Sequence, residues 1–357
     1  MTYFWFKLRY NITMDGDLQL AHLELEAFLN EVTTIEQLVS QHFTTMQQFV
    51  REGQQGYYAE GDINLLSTLI QRLTFIQRIY IIADDTPQIR ELLARESAVT
   101  TYRAQDDKLY IEAIPHFALF EFAEVIARKA KSATTVRQQL PLLLEGLLNH
   151  RDDKVTQQLV EMVMSAQITS SPLSHGLHYY KAKFFPRMAR AMLNITAGNR
   201  DLSSLTVLDP FVGSGTTLLE ASQLGIRNVG TDIDPLSVMI SQAKLNSLAL
   251  DSDVFSTTIN VISNNLSISI RHEEYAPIIF PDWLMKNRKM TDELAEMLIT
   301  EMNQLRIEVS HVDNPAHDIL RVILSDAITR RIRFRFMGTG VGRFSLSLSK
   351  TPLETLF

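Results

Sequence analysis

Apolar side chains take every second position at the start of the chain. Phe4, Phe6, Leu8 and Tyr10 repeat with the period of a strand. A helical spacing follows: Leu18, Ala21, Leu25, Phe28 and Leu29 share one face, with Asp17 placed to cap the first turn. The runs Ile79 to Ile82 and Leu109 to Ile114 predict further strands, and helices are predicted near 62–73, 87–95 and 117–130. Two or three more helical stretches continue to about residue 165. Residues 1–170 thus predict an α+β domain.

The segment from Ile168 to Gly176, rich in Ser, Thr and Gly with one Pro, marks a boundary. The pattern then changes. A short apolar strand, Leu205 to Leu208, runs into a glycine-rich turn, a helix spans Thr216 to Leu224 with Gly225 placed to close it, and a second strand covers Asn228 to Gly230. Residues 171–250 form this second region. Residues 251–357 are predicted to be mostly helical, with one apolar stripe at Leu294, Met297, Leu298, Met302 and Leu305 and another at Leu320, Ile323, Leu324 and Ile328. Both stripes read as core. Gly338 to Ser345 forms a second glycine cluster, read as a flexible turn because no helix clearly opens from it.

Composition narrows the class. The chain has 357 residues, 45% hydrophobic and 21% charged, as in a soluble globular protein. It has no cysteine, which removes disulfides, thiolate metal sites and cysteine nucleophiles. No apolar run approaches the roughly 18 residues of a spanning helix, and the N-terminus lacks a signal pattern. A cytoplasmic protein without a membrane partner is expected.

The formal charge of −7 argues weakly against indiscriminate nucleic-acid binding. Two local clusters stand against that total. Lys181, Lys183, Arg187 and Arg190 form one; Arg330, Arg331, Arg333 and Arg335, interleaved with Phe334 and Phe336, form the other. Each reads either as a phosphate-contacting, base-stacking surface or as a solvated helix face and an amphipathic strand. His175 and His178 have no acid or cysteine at ligand spacing, so no metal is expected.

The chemistry concentrates in Asp209-Pro210-Phe211-Val212-Gly213-Ser214-Gly215-Thr216-Thr217. Two glycines two residues apart let the backbone turn sharply and approach a ligand closely. Asp232 follows about 20 residues later, where doubly wound folds hold a ribose diol. A dinucleotide fingerprint would want a glycine at Leu218, and a phosphate loop would need Gly-Lys-Ser/Thr. Neither is present. S-adenosylmethionine carries no phosphate and suits this loop.

Loop and context resemble the DNA methyltransferases that modify exocyclic amines, the N4 of cytosine or the N6 of adenine. In that family a segment His-x-Tyr-x-Ala-Lys-Phe-x-Pro precedes the loop, and His178, Tyr180, Ala182, Lys183, Phe184 and Pro186 match it. The clear resemblance covers roughly residues 172–245. It implies a Rossmann-like sheet, present here in part, and a DNA substrate. It implies that Asp209, Phe211, Gly213 and Gly215 line the methionine end of S-adenosylmethionine, that Asp232 holds the ribose hydroxyls, and that Lys183, Phe184 and Pro186 close over the cofactor. Asp234 is a second-choice contact, or a helix cap in its Asp-Pro setting. Asp282-Trp283-Leu284 resembles the start of a helical insertion in related enzymes. The opening strand and helix resemble the module that precedes some tRNA guanine-N2 methyltransferases, which keeps tRNA as an alternative substrate.

One family motif has no counterpart. The Asp/Asn/Ser-Pro-Pro-aromatic segment accepts the target amine's hydrogens and stacks on the base, yet none of the 11 prolines here adjoins another. Asp234-Pro235-Leu236 and Asn314-Pro315-Ala316 come nearest. Only two strands are convincing after residue 200. The expectation is a cofactor-binding portion that is inactive alone, either part of a longer enzyme or completed by a separate polypeptide. A non-catalytic cofactor-binding subunit is the other reading.

Overall fold

The opening alternation forms β1 (Thr2–Leu8) in a computed structural model that describes residues 2–9, 11–35, 56–96, 99–103, 107–129, 133–148, 153–164, 173–181, 183–268, 291–337, 343–349 and 351. The chain divides into two units. The first holds Met1–Leu173, Phe184–Leu208 and Glu220–Val229; the second holds Ser174–Lys183, Asp209–Leu219 and Gly230–Phe357.

In the first unit β1 pairs with β3 (Gly56–Gly61) and β4 (Ile76–Asp84). With β2 (Asn30–Thr34), β5 (Val99–Arg103) and β6 (Lys108–Ala113) they form a sheet of order β2-β3-β1-β4-β6-β5, antiparallel at every pairing. The register sets Phe4 beside Ala59 and Ile81, and Phe6 beside Tyr57 and Ile79. These side chains join Leu109 and Ile111 in a core with Ala21 and Leu25 of α1 (Asp15–Glu26) and Leu66, Leu69 and Ile70 of α2 (Leu66–Arg72). Each fully buried Phe or Ile contributes about 1.5–3 kcal/mol. The opposite face gathers Trp5, Tyr80 and Ile82, with the Trp5 and Tyr80 rings 5.5 Å apart.

Local side-chain signals set helix starts. The Thr86 hydroxyl accepts from the Ile89 N–H at 3.3 Å, and Pro87 opens α3 (Pro87–Ala94). α1 differs from expectation. It begins at Asp15 behind an uncapped Met14, so Asp17 lies inside the first turn, where its charge favours the helix N-terminus. α4 (His116–Lys129), α5 (Ala133–Leu148) and α6 (Lys154–Met164) share a second core of Phe122, Ile126, Leu143, Leu147 and Val163.

α7 (Pro186–Ala197) completes the first unit and corrects the reading of the upstream basic cluster. Arg190 is buried and donates to Glu220 Oε2 at 2.9 Å and Gln223 Oε1 at 3.0 Å. Arg187 donates to Glu121, which also pairs with Arg9. These arginines therefore form neither a solvated face nor a phosphate surface. Farther along α7, Asn194 donates to Glu24 Oε1 and to the Arg72 carbonyl, both at 2.7 Å, and accepts from Arg72 Nε at 3.0 Å.

β7 (Thr206–Asp209), α8 (Thr216–Gln223) and β8 (Arg227–Gly230) form a strand–helix–strand crossover. The Thr231 N–H donates to the Asp209 carbonyl at 3.0 Å. The C-terminal ends of both strands thus lie together, and the strands run in the same direction. Gly225 (φ +74°) ends α8 in the left-handed conformation expected of it.

In the second unit α10 (Ser252–Ile268), α11 (Asp292–Ser310) and α12 (His317–Arg331) share a core of Ile262, Leu305, Val309, Leu320 and Leu324. Met297, expected in the first stripe, is exposed. α9 (Pro235–Ser247) packs on α12 through Ile240, Ala243, Ile319 and Val322. β9 (Ile332–Met337) and β10 (Arg343–Leu348) form an antiparallel ribbon that sets Phe344 opposite Phe336. Arg343, Phe344 and Ser345 are therefore strand, not turn, and four strands follow residue 200 among the described residues. Gly338 to Gly342 and Asp282-Trp283-Leu284 lie outside those residues. Of the C-terminal arginines, Arg331 is buried against Glu301 and Arg330 pairs with Asp326 at 2.8 Å. Among the described residues no helix is long and apolar enough to cross a membrane.

Candidate cofactor-binding site

The site grows from the C-terminal ends of β7 and β8. Past β7, the Phe211 N–H donates to Asp209 Oδ1 at 3.1 Å, and the Val212 N–H donates to the Thr231 carbonyl at 2.9 Å. The Gly215 N–H then closes a turn on the Val212 carbonyl at 2.8 Å. Gly213 (φ +48°) and Gly215 (φ +77°) both sit in the left-handed region, as the glycine spacing requires. A Cβ on Gly215 would stand 2.9 Å from the Ser241 Cα, so the loop rests directly on the backbone of α9.

Asp232 faces this loop. Its Oδ2 accepts from the Gly213 N–H at 2.8 Å and its Oδ1 from the Asp234 N–H at 2.9 Å. The amides of Asp234 and Gly213 hold its carboxyl below the usual carboxylate range. A carboxylate has about four lone-pair positions, so both oxygens keep room for a further donor. Asp234 acts as a helix cap: it accepts from the Leu236 N–H at 3.0 Å and the Ser237 hydroxyl at 3.1 Å, with Pro235 as the first residue of α9.

The upstream segment contributes to the same unit. Lys183 is half-buried and donates to the carbonyls of His175 at 2.6 Å and His178 at 3.4 Å. Burial pulls its amine below the ordinary lysine range, and Asp326 opposes that shift. Tyr180 hydrogen-bonds to Ser237 at 3.0 Å, and its ring lies 3.4 Å from where a Gly213 Cβ would stand. His178 contacts the Tyr179 carbonyl and Ser325 through its two ring nitrogens. Phe184, exposed, and Pro186, the first residue of α7, belong to the first unit; Ala182 lies outside the described residues.

Lys183, Asp209, Phe211, Gly213, Gly215 and Asp232 thus share one unit. Three neighbours, Ile233, Ser241 and Lys244, had no role in the sequence reading. Ile233, next to Asp232, is 100% exposed, and Phe211 is 86% exposed. Large apolar side chains held out beside a carboxylate suit a planar, partly polar ligand. Ser241 and Lys244 of α9 hold the loop from beneath: the Ser241 hydroxyl donates to the Gly213 carbonyl at 2.9 Å, and Lys244 Nζ donates to the Ser214 carbonyl at 2.7 Å. Their spacing of three on one helix face was the available signal.

Residues 120–243 match the family model of the DNA methylases, a stretch that starts inside α4 and so begins earlier than the motifs alone indicated. The chain is 39% identical over 71 residues to the Type II methyltransferase M.MjaII of Methanocaldococcus jannaschii, covering 20% of this chain and 13% of that protein. It is 41% identical over 73 residues to the Type II methyltransferase M.MvaI of Kocuria varians, covering 20% and 16%. It is also 42% identical over 59 residues to a tRNA (guanine(10)-N2)-dimethyltransferase of Methanothermobacter thermautotrophicus, covering 16% of each chain. The matched stretches thus span less than a fifth of these relatives. Residues 120–243 thus carry this chain's similarity to the DNA methylases.

Proposed function

We propose that this chain is the cofactor-binding portion of a DNA methyltransferase that transfers a methyl group from S-adenosylmethionine to the exocyclic amine of cytosine or adenine. The observation that carries this reading is the Gly213–Asp232 pair: a glycine amide fixes one oxygen of an ionised carboxylate at the mouth of a left-handed loop. Asp232 would take the ribose hydroxyls. Phe211 and Ile233 would flank the cofactor's apolar surfaces, and Asp209, Gly213 and Gly215 would line its methionine end. Lys183, with two of its three N–H groups directed to backbone carbonyls, would act by ordering the segment that ends in Phe184 and Pro186. The cofactor supplies an electrophilic methyl group; the chain's residues bind and orient it.

In this reading β7, α8 and β8 are the first crossover of a Rossmann-like sheet, and the catalytic half comes either from further sequence of a longer enzyme or from a separate polypeptide. Leu208 and Val229, 66% and 54% exposed on β7 and β8, support an uncovered sheet face. A tRNA substrate remains the second reading, favoured by the identity to archaeal tRNA (guanine(10)-N2)-dimethyltransferases. Calorimetric titration of the purified chain with S-adenosylmethionine tests the core of the proposal. One-to-one binding, competed by S-adenosylhomocysteine but not by NAD, is expected. A chain that is folded yet binds neither adenosyl compound would remove the cofactor assignment.

A further inference from the structure

Beneath the glycine loop lies a buried lysine with no part in methyl-group chemistry. Lys244 sits on α9 with no solvent-exposed surface, and its Nζ ends on the Ser214 carbonyl. One turn earlier Ser241 holds the preceding carbonyl, that of Gly213. We propose that Lys244 is a positioning residue: together with Ser241 it fixes the two consecutive loop carbonyls that set the cofactor-binding conformation. This rests on the reading of the loop as a cofactor site.

The geometry explains why two anchors are used. In a trans peptide the C=O and the following N–H point in opposite directions. Holding the Gly213 carbonyl against α9 therefore turns the Ser214 N–H away from the helix, and holding the Ser214 carbonyl does the same for the Gly215 N–H. The latter is the group that closes the turn on Val212. Two left-handed glycines would otherwise leave this segment many accessible conformations, and ordering them on binding would lower affinity. Fixing the loop beforehand removes that cost.

A buried lysine is an unusual choice for the task, and it adds a pH response. Burial, then the charge of Lys183, pushes the Lys244 amine down to about 7. Lys183 faces it from the upstream segment, and Asp326 of α12 faces Lys183 in turn. Below about 7 the bond to Ser214 is charge-assisted; above it the neutral amine makes a weaker one. Burial nonetheless outweighs that gain, since the amine sits at about 7 and not 10.5, so the arrangement with Lys244 on the loop is favoured as pH rises through about 7.

Hydrogen exchange across Val212 to Thr217 and calorimetry with S-adenosylhomocysteine, whose sulfur is neutral, test this together at about pH 6 and about pH 8.5. In the wild type, affinity is expected to rise several-fold from the lower to the higher pH. Lys244→Met is expected to bind about tenfold more weakly at the higher pH, show no such rise, and exchange faster in the loop alone. Lys244→Arg, which keeps a fixed positive donor, is expected to recover part of the affinity without the pH response. Wild-type affinity and loop exchange in Lys244→Met would overturn the proposal. Should Lys244→Met fail to fold, Ser241→Ala and the wild-type pH profile carry the test. A flat profile with unchanged loop exchange in Ser241→Ala would also overturn it. Loop exchange that responds to Lys244 in a chain binding no adenosyl compound would remove the cofactor reading and leave Lys244 a structural lysine.

Discussion

Gly213 and Asp232, nineteen residues apart, are joined by one 2.8 Å hydrogen bond from the glycine N–H to the aspartate Oδ2. That bond ties the loop after β7 to the segment after β8, so the carboxylate is oriented before any ligand arrives. Asp232→Ala removes both the orientation and the charge, and S-adenosylmethionine affinity is expected to fall at least about tenfold. Asp232→Asn keeps an acceptor oxygen but loses the charge and is expected to fall between Ala and wild type. Calorimetry on folded variants checks the order; equal affinities would remove the ribose assignment.

Gly215 and Gly225 offer a paired stability test. Both have positive φ, but a Cβ on Gly225 meets open space whereas one on Gly215 meets Ser241 at 2.8–2.9 Å. Gly225→Ala is expected to cost only the left-handed penalty, about 1–2 kcal/mol. Gly215→Ala must also displace the backbone of α9 and is expected to cost clearly more. Urea denaturation of both variants measures the difference.

Arg190 separates packing from nucleic-acid contact. It forms a buried pair with Glu220, so Arg190→Met takes that cation from a buried carboxylate and is expected to cost about 3–5 kcal/mol. The double change Arg190→Met with Glu220→Leu is expected to recover most of that loss. If Arg190 instead contacted DNA phosphates, the single variant would keep wild-type stability and lower the salt dependence of DNA binding.

The folded-state pKa of Lys244 lies near 7, below its ordinary 10.5. Between those values the unfolded chain holds a proton that the folded chain has lost, so this group makes stability rise with pH. The cost of burying the charge is fully present below about 7 and is relieved as pH climbs toward 10.5. Wild type is expected to gain on the order of 1–2 kcal/mol relative to Lys244→Met between about pH 7 and about pH 9. Denaturant midpoints at the two pH values measure this; a constant gap between the proteins would place the amine in solvent.

Sequence made β1, β4 and β6 legible because their apolar residues alternate or run together. β2 and β5 are edge strands of sequence Asn-Glu-Val-Thr-Thr and Val-Thr-Thr-Tyr-Arg, and β3 begins and ends in glycine. Their stability comes from pairing with distant strands, which no local window contains. The glycine loop and Asp232 were legible because a tight turn and a carboxylate need particular residue types. Arg190 and Lys244 were not. On a helix a buried cation has the same spacing as a solvated one, and only the partner brought to it by the fold, Glu220 or the Ser214 carbonyl, separates the two.

In the proposed reading activity depends on a Pro-Pro-aromatic segment, and no two prolines adjoin in these 357 residues. An exocyclic amine is a weak nucleophile, and acceptors aimed at its hydrogens must supply much of the rate. Asn314-Pro315 cannot take that part: Asn314 accepts from the Ala316 N–H at 2.8 Å and donates to the Thr258 hydroxyl at 3.1 Å, the bonds of a structural turn. The 357-residue chain alone is therefore expected to transfer no methyl group to genomic DNA or total tRNA in a radiolabel assay. Co-expression with a polypeptide carrying the Pro-Pro-aromatic segment is expected to restore incorporation, and Gly213→Asp in this chain is expected to abolish it. Incorporation by the chain alone that disappears in Gly213→Asp would mean that another group here accepts the amine hydrogens, and the split-enzyme reading would fall.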